Sequence, residues 1–174
     1  VPVLALNESP IDPLGAFWKR SFDFLCSLSA LIVLAPLLAL IAAAVKLTSR
    51  GPVFYGQKRM GLDGSTFTMW KFRSMKTDAE KETGAVWARK NDDRRTVIGA
   101  FLRSTSLDEL PQFWNVLAGH MSLVGPRPEM PFIVATYNEE QRERLKVRPG
   151  ITGVWQISAV RGEPIHANLE YDLF

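Results

Sequence analysis

Phe22-Asp23-Phe24-Leu25-Cys26-Ser27-Leu28-Ser29-Ala30-Leu31-Ile32-Val33, continued by Leu34-Ala35-Pro36-Leu37-Leu38-Ala39-Leu40-Ile41-Ala42-Ala43-Ala44-Val45, is a run of about 24 residues with one charge, Asp23, near its start. About 20 apolar residues suffice to cross a bilayer, so this segment is expected in lipid. It lies too far into the chain, and is too long, for the apolar core of a signal peptide. Two topologies fit it: a spanning helix kinked at Pro36, or a helix that enters the membrane, turns at Pro36 and leaves by the same face. Pro36 removes a backbone hydrogen bond and crowds the preceding turn, yet membrane helices tolerate such kinks. Basic residues mark the cytoplasmic side, and here Lys19 and Arg20 precede the segment while Lys46, Arg50, Lys58 and Arg59 follow it. On these residues both topologies stay open, with Asp23 placed to pair with Lys19 or Arg20.

The rest of the composition sets wide bounds. The chain of 174 residues is long enough for one domain with a real core, and its formal net charge of +3 is too mild to argue for a nucleic-acid partner. The single cysteine, Cys26, lies in the apolar run, so no disulfide framework exists. His120 and His166 lack cysteine partners at zinc spacing. A start at Val1 and a turn-rich stretch from Asn7 to Gly15 are expected of a piece of a longer polypeptide.

Downstream, Thr48 to Pro52 is a turn cluster. Val53-Phe54-Tyr55 reads as a strand, Gly61-Leu62-Asp63-Gly64 as a hairpin turn, and Thr66 to Arg73 as a second strand with Phe67, Met69, Lys71 and Arg73 on one face. Lys71 and Arg73 can meet a phosphate or remain a solvated edge. Asp78 to Asp93 is expected as an exposed helix or loop, with Trp87 dipping into a membrane interface. In Arg94 to Arg103, Val97, Ile98, Phe101 and Leu102 recur at helical spacing, leaving Arg94, Arg95 and Arg103 outside the apolar set.

Ser106-Leu107-Asp108-Glu109-Leu110-Pro111-Gln112 then sets two carboxylates before a proline suited to open a helix. Two readings stand side by side. Asp108 and Glu109 can lie at the positive end of that helix, where phosphate is favoured, or Ser106 and Glu109 can form a capping box. The surrounding Arg94, Arg95, Arg103 and Arg127 favour a site that handles phosphate and metal. Pro126-Arg127-Pro128 holds an arginine in a rigid turn, fit for a fixed anion contact. Tyr137 to Val147 reads as a charged, solvated helix. Arg148 to Gly153 reads as a turn that ends that helix or cradles an anion, and Val154-Trp155-Gln156-Ile157 as a short buried strand. Glu170 and Asp172 add two late acids.

Lys19-Arg20-x-x-Asp23, Lys71-Phe72-Arg73-Ser74-Met75, Thr105 to Gln112, Met121 to Pro128 and Arg148 to Gly153, in this order, resemble the bacterial sugar transferases, the monotopic polyprenyl-phosphate phosphoglycosyl transferases. The resemblance implies an α+β membrane protein with a re-entrant helix broken at Pro36 and a small cytoplasmic domain of short helices and a β-hairpin. Residues 1–18 would be a linker, 19–47 the re-entrant helix and 48–174 the catalytic domain. The implied reaction moves a sugar 1-phosphate from a nucleoside diphosphate sugar, usually UDP-linked, to undecaprenyl phosphate, on the cytoplasmic face of the bacterial inner membrane. It begins glycan assembly, with Mg²⁺ as the implied cofactor and with membrane lipid and a second copy of the chain in a homodimer as implied partners.

By the same resemblance Asp108 is the nucleophile that forms a phosphosugar-aspartyl intermediate, and Glu109, with Asp108, holds the metal. Lys71, Arg103 and Pro126-Arg127-Pro128 match family positions, and Arg73, Arg95 and Arg148 complete the expected substrate-binding set. The chain departs from the pattern at Ala35, where relatives often carry serine, and at His120, commonly aspartate. Relatives also continue past the Tyr171-Asp172 motif into a further segment. A phosphoryl transfer needs positioning and charge neutralisation, which a lone acidic pair with Mg²⁺ and substrate phosphates supplies. A non-catalytic lipid-binding domain and a lipid pyrophosphate hydrolase are the rival readings.

Overall fold

Pro36 has no N–H to give to Ile32 and its ring collides with that carbonyl, so a helix arriving from upstream cannot run through it. In the computed structural model, which describes residues 13–77, 79 and 93–158, α1 (Pro13–Val33) stops before the proline and α2 (Ala35–Thr48) starts beside it. Leu34 alone separates them, and the two axes differ by 62°. Pro36 thus sits in the first turn of α2, where its missing donor costs nothing, and the break itself falls at Leu34. α1 begins already at Pro13, upstream of the expected boundary at Lys19. Among the described residues no single helix is long and apolar enough to cross a membrane, and only the bent pair passes that test together.

Both arms of the bend are fastened to the same body. On α1, Arg20 donates to the Val116 and Leu117 carbonyls at 2.7 and 2.9 Å, and Asp23 accepts from Ser122 Oγ at 2.8 Å and Leu123 N at 3.1 Å. On α2, Ile41 and Val45 pack with Phe72 and Leu102 in one core cluster. Arg73 ties the end of that helix by donating to Ser49 O, Ser49 Oγ and Arg50 O. Leu37 and Leu38 also pack against that cluster, whereas Ile32 and Val33 at the bend are exposed. At 1.5 Å per residue, the arm from Asp23 to Val33 is about 15 Å long, half the hydrocarbon thickness of a bilayer.

The body is mixed helix and sheet. The expected hairpin forms, β1 (Phe54–Met60) pairing antiparallel with β2 (Thr66–Phe72) through a turn whose Asp63 and Gly64 take positive φ. Phe67 and Met69 face a second core cluster with Val116 and Met121, while Phe72 on the opposite face meets α2. The helix expected after Arg95 is α3 (Val97–Ser104), capped by Thr96. Its buried face is narrower than the spacing indicated. Gly99 and Leu102 go inward, and Val97 is 94% exposed, because a Cβ at Gly99 would meet Ser74 O at 2.0 Å and this close approach sets the helix's rotation.

α4 (Gln112–Leu117) follows Pro111 and ends at Gly119, whose φ of +85° reverses the chain. β3 (Ser122–Val124) and β4 (Gly150–Thr152) form a parallel pair. Between them run α5 (Pro131–Val134), α6 (Glu139–Arg142) and a 3-10 turn at Glu143–Lys146. Two segments differ from expectation here. The Arg148–Gly153 stretch follows the end of the helical turn at Lys146, as expected, but goes on to pair as β4, and the Gly150 N–H is spent on Pro126 O at 2.8 Å. Val154–Ile157 is a helical turn, α7, with Trp155 buried and Ile157 exposed. The strand had already been spent on the preceding glycine-flanked residues, where Gly125 and Gly150 approach so closely that a Cβ on Gly150 would meet Gly125 N at 2.2 Å. Trp87, Glu170, Tyr171 and Asp172, with most of Asp78 to Asp93, lie outside the described residues.

Candidate active site

Asp108 and Glu109 lie in a 3-10 turn, Leu107–Glu109, entered through Ser106 in a left-handed conformation with φ of +57°. That conformation removes the capping box, since Ser106 makes no side-chain cap and Glu109 turns elsewhere. The expected helix after Pro111 forms as α4 with the acids just before it, but they sit in a 3-10 turn of their own and α4 has only six residues. Asn115 on α4 locks this turn to the hairpin, accepting from Trp70 N at 3.0 Å and donating to Thr68 O at 2.7 Å. The lock brings Lys71 against the turn.

Glu109 is the hub. Its Oε1 accepts from Lys71 Nζ at 2.5 Å and from Arg127 Nη2 at 3.3 Å. Burial pushes the Glu109 carboxyl up, but the two cations outweigh it and hold the group at about 2. The buried Lys71 ammonium is itself pushed down, because the Glu109 charge only partly offsets its loss of water and Arg127 repels it. Asp108, 6% exposed, goes the other way. Burial raises it, Lys71 opposes this, and the neighbouring Glu109 charge raises it further, with Arg103 opposing. Two adjacent carboxylates therefore hold their protons differently, the pattern of paired acids with separate tasks.

Beside Glu109 opens a cleft of about 630 Å³. Arg103, Ser104, Ser106, Glu109 and Arg127 line one part of it, and Phe113, Ile151, Trp155 and Gln156 another. The Arg127 guanidinium also lies over the Trp155 ring, 5.8 Å from its centroid. Of the expected residues, Glu109, Arg103 and Arg127 line the cleft, while Asp108 is buried next to Glu109 and Lys71 reaches Glu109 from behind the lining, with Pro126 and Pro128 shaping the turn that carries Arg127. Three expected phosphate contacts are placed elsewhere. Arg73 is buried on the end of α2, Arg148 Nε donates to Gly119 O at 3.2 Å, and Arg95 pairs by its backbone with Met75 outside the cleft lining. The Arg73 and Arg148 side chains are taken by carbonyls that tertiary structure left open, which local sequence does not disclose.

The residues missed from sequence are those that hold the others. Arg59, read as a membrane-facing cation, donates to Pro128 O at 3.1 Å, and burial with repulsion from Arg127 lowers it to about 10. Arg144, read as part of a solvated face, is buried and reaches Arg127 O. Asn115 alone gave a signal, as a lone amide inside the apolar run Phe113 to Leu117. The donor set also fits a hard divalent cation in part. Among the described residues no cluster of three or more candidate ligands exists. Glu109 lines the cleft and Asp108 is buried beside it, and a pair of carboxylates of this kind is one that Mg²⁺ ordinarily completes with phosphate oxygens and water.

The profile of the bacterial sugar transferase family matches residues 14–174. A UDP-glucose:undecaprenyl-phosphate glucose-1-phosphate transferase of Klebsiella pneumoniae is 48% identical over 99% of this chain, which covers 39% of that relative. The exopolysaccharide production protein PSS of Rhizobium leguminosarum bv. phaseoli is 48% identical over 83% of this chain and 75% of its own length. A putative undecaprenyl-phosphate N-acetylgalactosaminyl 1-phosphate transferase of Bacillus subtilis is 48% identical over 70% of this chain and 68% of its own. The chain thus spans about two fifths of the larger relatives and most of the smaller ones. With the acid pair, the arginine turn and the bent apolar helix all inside the matched stretch, the chain belongs to the bacterial sugar transferase family.

Proposed function

We propose that the chain carries the transfer of a sugar 1-phosphate from a UDP-linked sugar to undecaprenyl phosphate, releasing UMP, as the first membrane step of a bacterial glycan. The observation that carries this reading is the acid pair: a buried Asp108 beside a Glu109 held ionised by Lys71 and Arg127 at the mouth of an open cleft. The names of the relatives, UDP-glucose:undecaprenyl-phosphate transferases among them, supply the substrate class.

In the first half-reaction an Asp108 oxygen attacks the phosphorus that bears the sugar. A P–O bond forms to the carboxylate, the bond to the bridging oxygen breaks, and UMP leaves with that electron pair. In the second, a phosphate oxygen of undecaprenyl phosphate attacks the same phosphorus and Asp108 departs as carboxylate, leaving a lipid diphosphate sugar. Splitting the exchange lets donor and lipid use one cleft in turn. Arg127 and Arg103 neutralise phosphate oxygens as charge moves between them. Lys71 keeps Glu109 ionised and aimed. Mg²⁺, held by Glu109 and Asp108, supplies further charge neutralisation on the diphosphate when bound.

The re-entrant topology belongs to the same reading. Both arms of the bend rest on one body and the free tip reaches about 15 Å, too short to cross and long enough to enter one leaflet. The catalytic body then lies on the cytoplasmic face of the inner membrane. Gly51, with φ of +121°, is a poor probe position, whereas Leu14 and Leu47 are exposed. With Cys26 replaced, cysteines at positions 14 and 47 both escape an impermeant thiol reagent in intact cells if the helix re-enters. Labelling of either one makes it spanning.

The deciding experiment for the chemistry is incubation of active enzyme with UDP-sugar and Mg²⁺ without lipid. The expected result is up to one UMP per active site and a sugar-phosphate mass on the peptide containing Asp108. Active enzyme that forms no adduct and needs both substrates bound together uses a direct displacement, with Asp108 as ligand or base.

A further inference from the structure

Four successive carbonyls of the arginine turn are each held by a donor from elsewhere. Pro126 O accepts from Gly150 N at 2.8 Å and Glu129 O from Met60 N at 2.8 Å, both backbone contacts of neighbouring strands. Between them, Arg127 O accepts from Arg144 Nη2 at 2.8 Å and Pro128 O from Arg59 Nη1 at 3.1 Å. Prolines at 126 and 128 have no N–H, so the turn has few donors of its own and is held largely through its carbonyls.

Arg144 is the unexpected member. It is 4% exposed within a stretch in which Glu139, Glu140, Arg142 and Lys146 face solvent and Glu143 is half-buried. Burying a guanidinium is costly unless its donors are met. Here Nη1 meets Tyr137 OH at 2.7 Å, Nη2 meets the carbonyl of Arg127 itself, and the guanidinium lies over the Tyr137 ring. Tyr137 packs with Met130, Ile133 and Val134 in the third core cluster, so the donor is mounted on a rigid base. Peptide geometry ties the carbonyl of Arg127 to its Cα, and therefore to the direction in which the Arg127 side chain leaves toward Glu109 and Trp155.

We propose that Arg144 is a positioning residue of the reaction. It acts through Arg127, fixing the backbone from which that guanidinium reaches the phosphates in the cleft. The proposal rests on the reading of the cleft as a sugar-nucleotide site. A buried cation spent only on holding the fold would serve equally well on any nearby carbonyl, whereas this one takes the carbonyl of Arg127 itself and Arg59 takes the next along the turn. Misplacement by about 1 Å costs up to about a hundredfold in rate.

The test is a double-mutant cycle in the full-length membrane enzyme, with kcat/KM for UDP-sugar as the readout. Arg144→Met keeps bulk and removes the donor, and is expected to lower kcat/KM about tenfold to a hundredfold. In an Arg127→Ala background the same change is expected to cost less than about twofold, because the side chain it positions is gone. Tyr137→Phe, which keeps the ring and removes the hydroxyl, secures the result if Arg144→Met folds poorly. Its loss of about threefold is likewise expected to vanish in the Arg127→Ala background. Losses that multiply unchanged in both backgrounds overturn the proposal and leave Arg144 a fold-stabilising residue. A wild-type enzyme that releases no UMP from any UDP-sugar with lipid phosphate overturns the functional reading itself.

Discussion

Two regions of this molecule bury an aspartate to nearly the same depth and use it in opposite ways. At the seam where α1 meets the body, Asp23 is 4% exposed and both oxygens are occupied, Oδ1 by Leu123 N and Oδ2 by Ser122 Oγ and Lys19 Nζ. In the cleft region, Asp108 is 6% exposed, and among the described residues its only hydrogen bond is to its own backbone N–H. Lys71 and Arg103 act on it through their charges alone. Saturation, not burial, separates an acid that holds the fold from one left for a ligand. A buried carboxylate with few partners is costly, and such costs persist where another state supplies the partner.

The sharpest way to test the contrast is to neutralise each acid in turn. Asp108→Asn keeps shape and removes the proposed nucleophile, so turnover is expected to fall about a thousandfold or more. Stability responds the other way. The folded-state pKa of Asp108 is raised, so its charge costs stability above that raised value, and the cost disappears as pH falls to the unfolded carboxylate range. In EDTA the Asp108→Asn protein is therefore expected to melt no lower than wild type at neutral pH, with any gain closing in acid. A clear loss of stability at neutral pH means the native structure stabilises ionised Asp108, contrary to its lack of donors.

Next in size is Arg127→Ala, expected to cost about a hundredfold in kcat/KM with little change in melting, because the guanidinium contributes at the cleft. Arg127→Lys is expected to recover only part, lacking the planar fork. Wild-type turnover and donor KM in the alanine variant make Arg127 a turn residue and move the cleft's anion contact to Arg103.

Asp23→Asn reverses the pattern. Ser122 Oγ and Leu123 N lose the charge they donate to, and a loss of about 2 kcal/mol of stability is expected, with kcat/KM per folded molecule within about threefold of wild type. If turnover collapses while melting is unchanged, the seam belongs to the reacting site and the comparison fails.

Sequence disclosed what depends on neighbours along the chain. The hairpin was readable because alternation and the Gly61 to Gly64 turn are local, and the bend because Pro36 interrupts the helical hydrogen bonding at a known place. The acid pair and Pro126-Arg127-Pro128 stood out by their prolines and the surrounding arginines, and their roles came through resemblance. What stayed hidden depends on distant partners. A three-residue strand such as β4 exists only because β3 lies beside it. α3 exposes Val97 because Ser74 takes the groove over Gly99. The fates of Arg20, Arg59, Arg73, Arg144 and Arg148 follow from which carbonyls the packed fold leaves unpaired.

The smallest effect is expected at Arg148, and it tests whether a motif's composition or its placement assigns function. Like Arg127 it is an arginine beside a proline in a turn of the same parallel-strand pair. Its Nε, however, donates to Gly119 O at 3.2 Å from an exposed position, near the end of α4 that Arg20 also serves. An exposed neutral contact of this kind contributes within about 0.5 kcal/mol to stability. Arg148→Ala is therefore expected to leave melting and kcat/KM within about twofold of wild type, against the hundredfold loss at Arg127. Should Arg148→Ala instead raise donor KM tenfold with melting unchanged, the turn must carry its arginine into the cleft when the sugar nucleotide binds. Gly119→Ala, strained at a φ of +85°, would then have to reproduce the effect by disturbing the carbonyl that holds Arg148 away.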